Sequence, residues 1–276
     1  MRRAFYIAAK LLPECSDSWL RQATRRYVIC PFYHAISDTP LPHITPLYRH
    51  RTEKEFRADI EWLLAHYKPI HWYEIDAYES AKEPAFCLSF DDGLKEFYTI
   101  VAPILEEKNV PCVCFVNSAF VDNKDLMFRY KDALTRTGID WKQFLHDEQP
   151  YLTYKQISEL QARGFEFGSH SMDHPYFDRL TLNEQLTQTL TCADTLKKHK
   201  VLTRRIFSFP FGQGGLESTA LHVHEGLHEA IFGTANLRQG GRNMYNRISI
   251  DGTGTPIRDI IRGEYIRELA HQILHD

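Results

Sequence analysis

Two pairs of polar residues have the types and spacing that hydrolytic chemistry needs. Asp91 and Asp92 are adjacent carboxylates that directly follow an apolar run and precede Gly93. His170 and His174 lie four residues apart, a spacing that brings two imidazoles to one side of a helical turn. Two histidines and one carboxylate are a familiar catalytic ligand set for zinc, with one position left for water or substrate. These residues therefore predict a metal-assisted hydrolytic centre.

Each pair also has a purely structural interpretation. An aspartate at a strand-to-helix turn accepts hydrogen bonds from free backbone N–H groups, and the Asp-Asp-Gly sequence alone favours that role. Pro175 disfavours the α conformation at His174, so the histidines are expected in a turn. The metal interpretation is favoured because both pairs, and also Pro210-Phe211-Gly212, follow predicted strands. Parallel α/β barrels place their active sites at these strand ends.

The elements that must position these residues alternate between strand and helix. The predicted strands are 27–32, 86–90, 112–116, 165–169, 205–209, 230–233 and 248–250. The predicted helices are 53–67, 95–108, 153–163, 181–200, 218–225 and 256–274, with Thr52 and Thr153 placed as N-caps. This alternation over the whole chain predicts one α/β barrel domain, residues 1–276. A helical extension of about residues 1–26 and an insertion of about residues 122–150 on the loop face lie outside the repeating pattern.

Composition excludes several other classes of protein. The chain has 276 residues, 43% of them hydrophobic and 25% charged, which is sufficient for a large core. A formal net charge of −3 provides no basic surface, so no nucleic-acid partner is expected. The six cysteines show no Cys-x-x-Cys spacing and fit a reducing compartment, and the alternative is that they pair in a secreted protein.

The N-terminus carries positive charges, but Lys10 interrupts an apolar stretch that is too short for a signal peptide. No segment approaches the roughly 18 apolar residues of a membrane-spanning helix. We therefore expect a cytoplasmic location without a transmembrane segment. The N-terminal helix is expected to pack on the domain, and the alternative is a peripheral membrane contact through its apolar side.

Two segments carry a family resemblance. Ser89-Phe90-Asp91-Asp92-Gly93 resembles the first motif of the polysaccharide deacetylases, the NodB-homology or carbohydrate esterase family 4 group. The segment 168–175 resembles their second motif, His-Ser/Thr-x-x-His, and the similarity spans about residues 27–250. Tyr33-His34 and Phe209-Pro210-Phe211-Gly212 look most like the branch that contains poly-N-acetylglucosamine deacetylases.

The resemblance implies a distorted (β/α) barrel that binds a carbohydrate substrate and a divalent metal. Zinc is expected, with cobalt, nickel or manganese as alternatives. In the implied site, Asp91 is the catalytic base. The three metal ligands are Asp92, His170 and His174. Pro210 and Phe211 contact the substrate or the oxyanion.

The sequence departs from the family's third motif. Ser208 stands where the family often has an arginine, the residue that usually orients the catalytic aspartate. Arg204 and Arg205 lie upstream and do not align with that position. Arg129 and Arg247 are candidates to replace the missing guanidinium in space.

The general acid is also unassigned by the motifs. The fourth family motif, Asp-x-x-Asp-Trp, is absent from the sequence. The fifth, Leu-x-His, has only a loose match in Ile273-Leu274-His275, inside the predicted terminal helix. His34 is a candidate acid, and its alternative role is hydrogen bonding in the core.

Together these features predict a metal-dependent hydrolase that removes N-acetyl groups from an amino-sugar-containing glycan or glycan precursor. One alternative is a deformylase or other amide hydrolase that acts on a sugar-linked substrate through the same residues. Another is a non-catalytic carbohydrate-binding barrel, which the intact Asp91 argues against because binding requires no base. The glycan, its acyl group and the metal are left open.

Overall fold

The structure, a computed structural model, describes residues 5–6, 16–211, 226–237 and 243–275. The strands are β1 (Val28–Ile29), β2 (Pro31–Tyr33), β3 (Lys68–Pro69), β4 (Ala85–Phe86), β5 (Leu88–Phe90), β6 (Cys112–Val116), β7 (Glu166–Ser169), β8 (Ile206–Ser208), β9 (Ala230–Gly233), β10 (Met244–Asn246) and β11 (Ile248–Ser249). The α-helices are α1 (Asp17–Thr24), α2 (Glu53–His66), α3 (Ile75–Ala81), α4 (Ala102–Glu107), α5 (Phe128–Arg136), α6 (Trp141–Glu148), α7 (Tyr154–Ala162), α8 (Leu182–Lys198) and α9 (Ile257–His275). A π-helical turn, Phe97–Val101, leads into α4, and short 3₁₀ turns lie at Trp72–Glu74, Val121–Asn123 and Phe177–Arg179.

Eight strands form one parallel sheet in the spatial order β10-β9-β8-β7-β6-β5-β2-β11. The two edge strands, β10 and β11, are consecutive in the chain, and Arg247 alone separates them. The Arg247 N–H donates to the Gly233 carbonyl at 3.0 Å, and the Ile248 N–H donates to the Cys30 carbonyl at 2.8 Å. One extended segment therefore pairs first with β9 and then with β2. The sheet is a nearly closed barrel, which confirms the predicted distorted (β/α) fold.

A second, three-stranded parallel sheet has the order β1-β4-β3, and its strands β1 and β4 precede the barrel strands β2 and β5 in the chain. Cys30 separates β1 from β2, and Cys87 separates β4 from β5, so two strand paths pass from the small sheet into the barrel. The predicted strands 27–32 and 86–90 are each divided in two by this change of partner. Both halves of each path are buried, so hydrophobicity alone gave no sign of the break.

Side-chain caps explain why three of the helices begin where they do. Thr52, Thr153 and Thr181 each accept a hydrogen bond from a backbone N–H of the first turn. The Glu or Gln three residues later bonds back to the capping residue, so two free backbone donors are satisfied at each helix start.

Other elements differed from expectation. Strands β3 and β10 were not predicted, since neither has an apolar run, and the predicted helix 218–225 lies outside the described residues.

The residues predicted to form an insertion share a small core with the segments around them. Helices α5 and α6 pack together there against the loop that follows β2. We name this group the insertion core, and its buried members are Ala35, Leu41, Ile44, Leu94, Phe120, Leu126, Met127, Tyr130, Leu134, Phe144, Leu145 and Tyr151. Because Leu94 directly follows the turn after β5, the insertion core lies beside the carboxyl end of that strand.

The N-terminal residues that the structure describes pack on the domain. Helix α1 contacts α9, and Arg262 donates to Asp17 at 2.6 Å. Tyr6 is buried, and its hydroxyl donates to Glu264 at 3.1 Å. Within the described ranges, no helix combines the length and the apolarity needed to span a membrane. Peripheral membrane contact, and the division into one domain with an extension and an insertion, stay predictions.

Gly168 in β7 generates a prediction about stability. A Cβ atom at this position would overlap the ring of Phe115 on the neighbouring strand and lie 2.9 Å from Ile206 Cγ1. We expect Gly168→Ala to lower the free energy of unfolding by about 1–3 kcal/mol, because the buried ring cannot move away freely. Urea denaturation measures this loss. Gly254→Ala is the control, since its Cβ would lie 3.7 Å from Arg49, and an equal loss in both variants would contradict the packing argument.

Candidate metal and catalytic site

The predicted site residues lie at the carboxyl ends of barrel strands, where the backbone turns sharply. Asp91 and Asp92 follow β5, and His170 follows β7. Asp92 has a φ of 72°, and His174 has a φ of 60°. Positive φ is costly for residues other than glycine, so the backbone of these turns is strained and the surrounding packing must stabilise it. The turn at Asp92 lets both carboxylates face one cavity, which alternation along a regular strand would prevent.

Three side chains converge on one buried point. The Oδ1 atom of Asp92 lies 3.3 Å from Nε2 of His174 and 3.6 Å from Nε2 of His170. All three residues are buried, and their candidate ligand atoms lie within 4.8 Å of one another. Asp92 Oδ1 has no hydrogen-bond donor among the described residues. A buried carboxylate oxygen without a donor is costly, and a bound cation would satisfy it.

The protonation of both histidines suits metal binding. Nδ1 of His170 lies 2.8 Å from the Ser208 carbonyl, which can only accept, so Nδ1 carries the proton and Nε2 is left with its lone pair. Burial lowers the pKa of His170 to about 4 and that of His174 to about 3. Both rings are therefore neutral near pH 7, the form that ligates a metal. The donor set fits a divalent ion such as zinc.

Arg247 forms a buried, bidentate ion pair with Asp91. Its Nη1 and Nη2 atoms donate to the two carboxylate oxygens at 2.7 and 2.8 Å, and it is fully buried. Nη1 also donates to Ser89 Oγ at 3.0 Å, and Nη2 donates to Ser208 Oγ at 2.5 Å. The guanidinium lies 4.2 Å from the centroid of the Phe32 ring. Of the two candidates for the missing motif arginine, Arg247 therefore occupies the place beside the aspartate.

The ion pair sets the charge of Asp91. Burial alone would raise the pKa of this carboxyl group, but the charge and hydrogen bonds of Arg247 outweigh burial and lower the pKa to about 2. Asp91 is therefore a carboxylate at neutral pH. Arg129, the other candidate, lies at the cavity with its guanidinium 5.4 Å from the centroid of the Phe211 ring.

His34 lies on the same cavity and is paired with a carboxylate. Its Nδ1 atom lies 3.0 Å from Asp251 Oδ2, and its backbone N–H donates to the same oxygen at 2.7 Å. Burial alone would lower the pKa of His34. The hydrogen bond to Asp251 and the charges of Asp92, Asp251 and Asp91 outweigh burial and raise the pKa to about 9. His34 is therefore charged at neutral pH and able to donate a proton.

A cavity of about 270 Å³ connects these groups with solvent. Phe211 lies at its mouth, 38% exposed, stacked on Tyr176 with a centroid distance of 4.3 Å and edge-on to His174 at 4.4 Å. Pro210 beside it is buried. Their predicted contact with the substrate oxyanion stays a prediction. The loose match to the fifth motif lies on α9, where Ile273 is 71% exposed, and it is not part of the cavity lining.

Sequence reasoning missed several residues that support the site. Tyr130 donates to Asp92 Oδ2 at 2.8 Å, and Asp251 holds His34. Asn117 donates through its side chain to the carbonyl of Ser171, between the two site histidines, at 3.2 Å. Asn117, which directly follows β6, and Asp251, two residues after β11, could have been found as polar residues at strand ends. Tyr130 lies on helix α5, away from any strand end, and carried no such signal.

The sequence matches the family model described as polysaccharide deacetylase over residues 78–227, more than half of the chain. Poly-beta-1,6-N-acetyl-D-glucosamine N-deacetylase of Escherichia coli (strain K12) is 30% identical over 127 residues, which cover 44% of this chain and 17% of that protein. The chain thus spans less than a fifth of the length of this relative.

Two solved structures are similar to the fold. Streptococcus pyogenes deacetylase PplD in complex with acetate has a TM-score of 0.64 and 18% identity, covering 84% of this chain and 95% of that chain. IcaB from Ammonifex degensii has a TM-score of 0.64 and 18% identity, covering 86% of this chain and 96% of that chain. Both support the barrel assignment.

The buried pair of Arg247 and Asp91 generates a second prediction. Arg247→Met leaves the Asp91 charge buried without its partner, and we expect the free energy of unfolding to fall by about 3–5 kcal/mol. In Arg247→Met combined with Asp91→Asn, much of that stability should return, because no uncompensated charge is left. Urea denaturation at pH 7 measures both variants. A double variant no more stable than Arg247→Met would show that the ion pair is not the source of the loss.

Proposed function

The chain belongs to the polysaccharide deacetylase family, and we therefore propose that it is a metal-dependent hydrolase that removes N-acetyl groups from an amino-sugar-containing glycan or glycan precursor. Membership confirms the resemblance that the two motifs predicted. One observation carries the proposal. Asp92 Oδ1 and the Nε2 atoms of His170 and His174 surround one buried point, beside an ionised Asp91.

We assign Asp92, His170 and His174 as ligands of a divalent ion, with zinc expected and cobalt, nickel or manganese as alternatives. When bound, such an ion supplies a Lewis acid that activates water and polarises a carbonyl group. The chain contributes one charged and two neutral ligands. It also provides the Ser208 carbonyl, which fixes the orientation of His170.

Asp91 is the proposed general base, which accepts a proton from the water that attacks the acetamide carbonyl. Arg247 holds both of its oxygens, so the carboxylate cannot rotate away from the cavity. A carboxylate with a pKa of about 2 is a weak base. It can therefore accept a proton only from water whose own pKa is lowered in the site.

His34 is the proposed general acid for the departing amine. It lines the same cavity as Asp91, and its raised pKa keeps it protonated at neutral pH. A backbone N–H near Phe211, beside Pro210, is the proposed donor to the oxyanion. The proposed substrate is a carbohydrate. The named activity of the Escherichia coli relative makes β-1,6-linked N-acetylglucosamine oligomers the first glycan to test. A cytoplasmic location stays a prediction.

Substitutions can distinguish the role of the proposed base from the role of the proposed metal ligands. We expect Asp91→Asn to lower the rate of acetate release about 10²–10⁴-fold, because the water loses its proton acceptor, while zinc is still bound. Asp92→Ala should lose both zinc binding and activity, because a ligand is removed. Acetate and formate are quantified by NMR with N-acetylated and N-formylated oligomers. Formate release alone would replace the deacetylase proposal by the deformylase alternative. Unchanged acetate release by Asp91→Asn would contradict the assignment of the base.

The pair of His34 and Asp251 generates a pH prediction. The Asp251 carboxylate raises the pKa of His34, so Asp251→Asn should lower that pKa and leave fewer molecules protonated in alkaline solution. The alkaline limb of the pH dependence of kcat is expected to move to lower pH. Asp132→Asn, at an exposed helical position, is the control and should leave the limb in place. A limb that does not move in Asp251→Asn would exclude His34 as the acid.

A further inference from the structure

Asp92 uses its two oxygens in different ways. Oδ1 faces the two histidines and has no hydrogen-bond donor among the described residues. Oδ2 accepts a hydrogen bond from the Tyr130 hydroxyl at 2.8 Å. Both residues are buried, and Tyr130 is fully so. The carboxylate is therefore held at one oxygen by the protein, while the other is left for a cation.

Tyr130 belongs to α5 of the insertion and not to a barrel strand. Its ring packs edge-on against His43 with a centroid distance of 5.0 Å, and His43 contacts Phe144 of α6 at 5.1 Å. The Tyr130 backbone N–H donates to the Met127 carbonyl at 2.9 Å. The place of the hydroxyl is thus set by the insertion core, although the residue it contacts belongs to the barrel.

Loss of this hydroxyl would have two physical effects. The carboxylate would no longer be fixed in rotation, so Oδ1 would spend less time aimed between the histidines. Oδ2 would also be buried without a donor, which is costly for a charged group. Partners that orient metal ligands in this way commonly contribute a factor of about 10–100 to metal affinity.

We propose that Tyr130 is a positioning residue, which orients Asp92 Oδ1 toward the divalent ion by holding Oδ2. The inference rests on the proposed function, because it requires the metal site. It gives helix α5 a role in metal binding that acts through Asp92. Tyr130 does not itself contact the ion.

The chain offers a matched control. Tyr151 is a second buried tyrosine of the insertion core, and its hydroxyl accepts a hydrogen bond from the Met127 backbone N–H at 3.1 Å. Tyr130→Phe and Tyr151→Phe each remove one buried hydroxyl and keep the ring. A purely structural role of Tyr130 would therefore affect both variants alike, whereas a positioning role would distinguish them.

The experiment measures the Kd for zinc by competition with a chromophoric chelator, without reference to activity. We expect Tyr130→Phe to weaken zinc binding roughly 10–100-fold and Tyr151→Phe to leave it within about twofold of wild type. The visible absorption spectrum of the cobalt-loaded protein should change in Tyr130→Phe alone, because the geometry of one ligand has changed. Thermal unfolding of the metal-free proteins checks that both variants fold.

The outcomes separate the two proposals. Wild-type protein that binds none of zinc, cobalt, nickel and manganese would overturn the proposed function, and the inference with it. Wild-type binding with an unchanged Kd and cobalt spectrum in Tyr130→Phe would overturn the positioning role alone. Equal weakening in both tyrosine variants would also overturn it, because the effect would then belong to the insertion core as a whole.

Discussion

The ion pair between Arg247 and Asp91 is the interaction on which the barrel and its site both depend. Asp91 follows β5, whereas Arg247 lies in the single-residue gap between β10 and β11. A buried charge requires a partner, so the aspartate can stay ionised inside the protein only if the chain closes the barrel at that gap. The same contact therefore closes the sheet and keeps the proposed base, Asp91, ionised. The stability of the fold and the chemistry of the site cannot be separated at this point.

The site is assembled from turns at the ends of barrel strands and from segments outside those turns. The barrel strands supply Asp91, Asp92 and the two histidines through turns that demand unusual backbone geometry. The gap and the segment after β11 supply Arg247 and Asp251, and helix α5 supplies Tyr130. Strained turns need support from several directions, because a lone turn would relax. The supporting residues come from segments that are far apart in the chain.

The sequence predicts what is local and misses what depends on closure. Asp91, Asp92, His170 and His174 could be grouped in advance because each pair comes just after a predicted strand, and strand ends share one edge of a parallel sheet. Helix starts were predictable at Thr52, Thr153 and Thr181, where hydrogen bonds within four residues decide the outcome. Arg247 could only be proposed beside Arg129, since the choice between them depends on which side chain reaches across the barrel. Strands β3 and β10 have no periodic signal, because two or three residues are too few to show one.

The contact between Arg247 and Ser208 has an evolutionary consequence. Ser208 Oγ lies 2.5 Å from the guanidinium, so a larger side chain at position 208 would displace Arg247 from Asp91. An arginine at 208 and an arginine at 247 therefore compete for the same volume. A lineage can move its guanidinium from one position to the other, but a single substitution at either position leaves the site with two arginines or with none. The two positions should covary, and a change at one position should be tolerated only when the other position has changed as well.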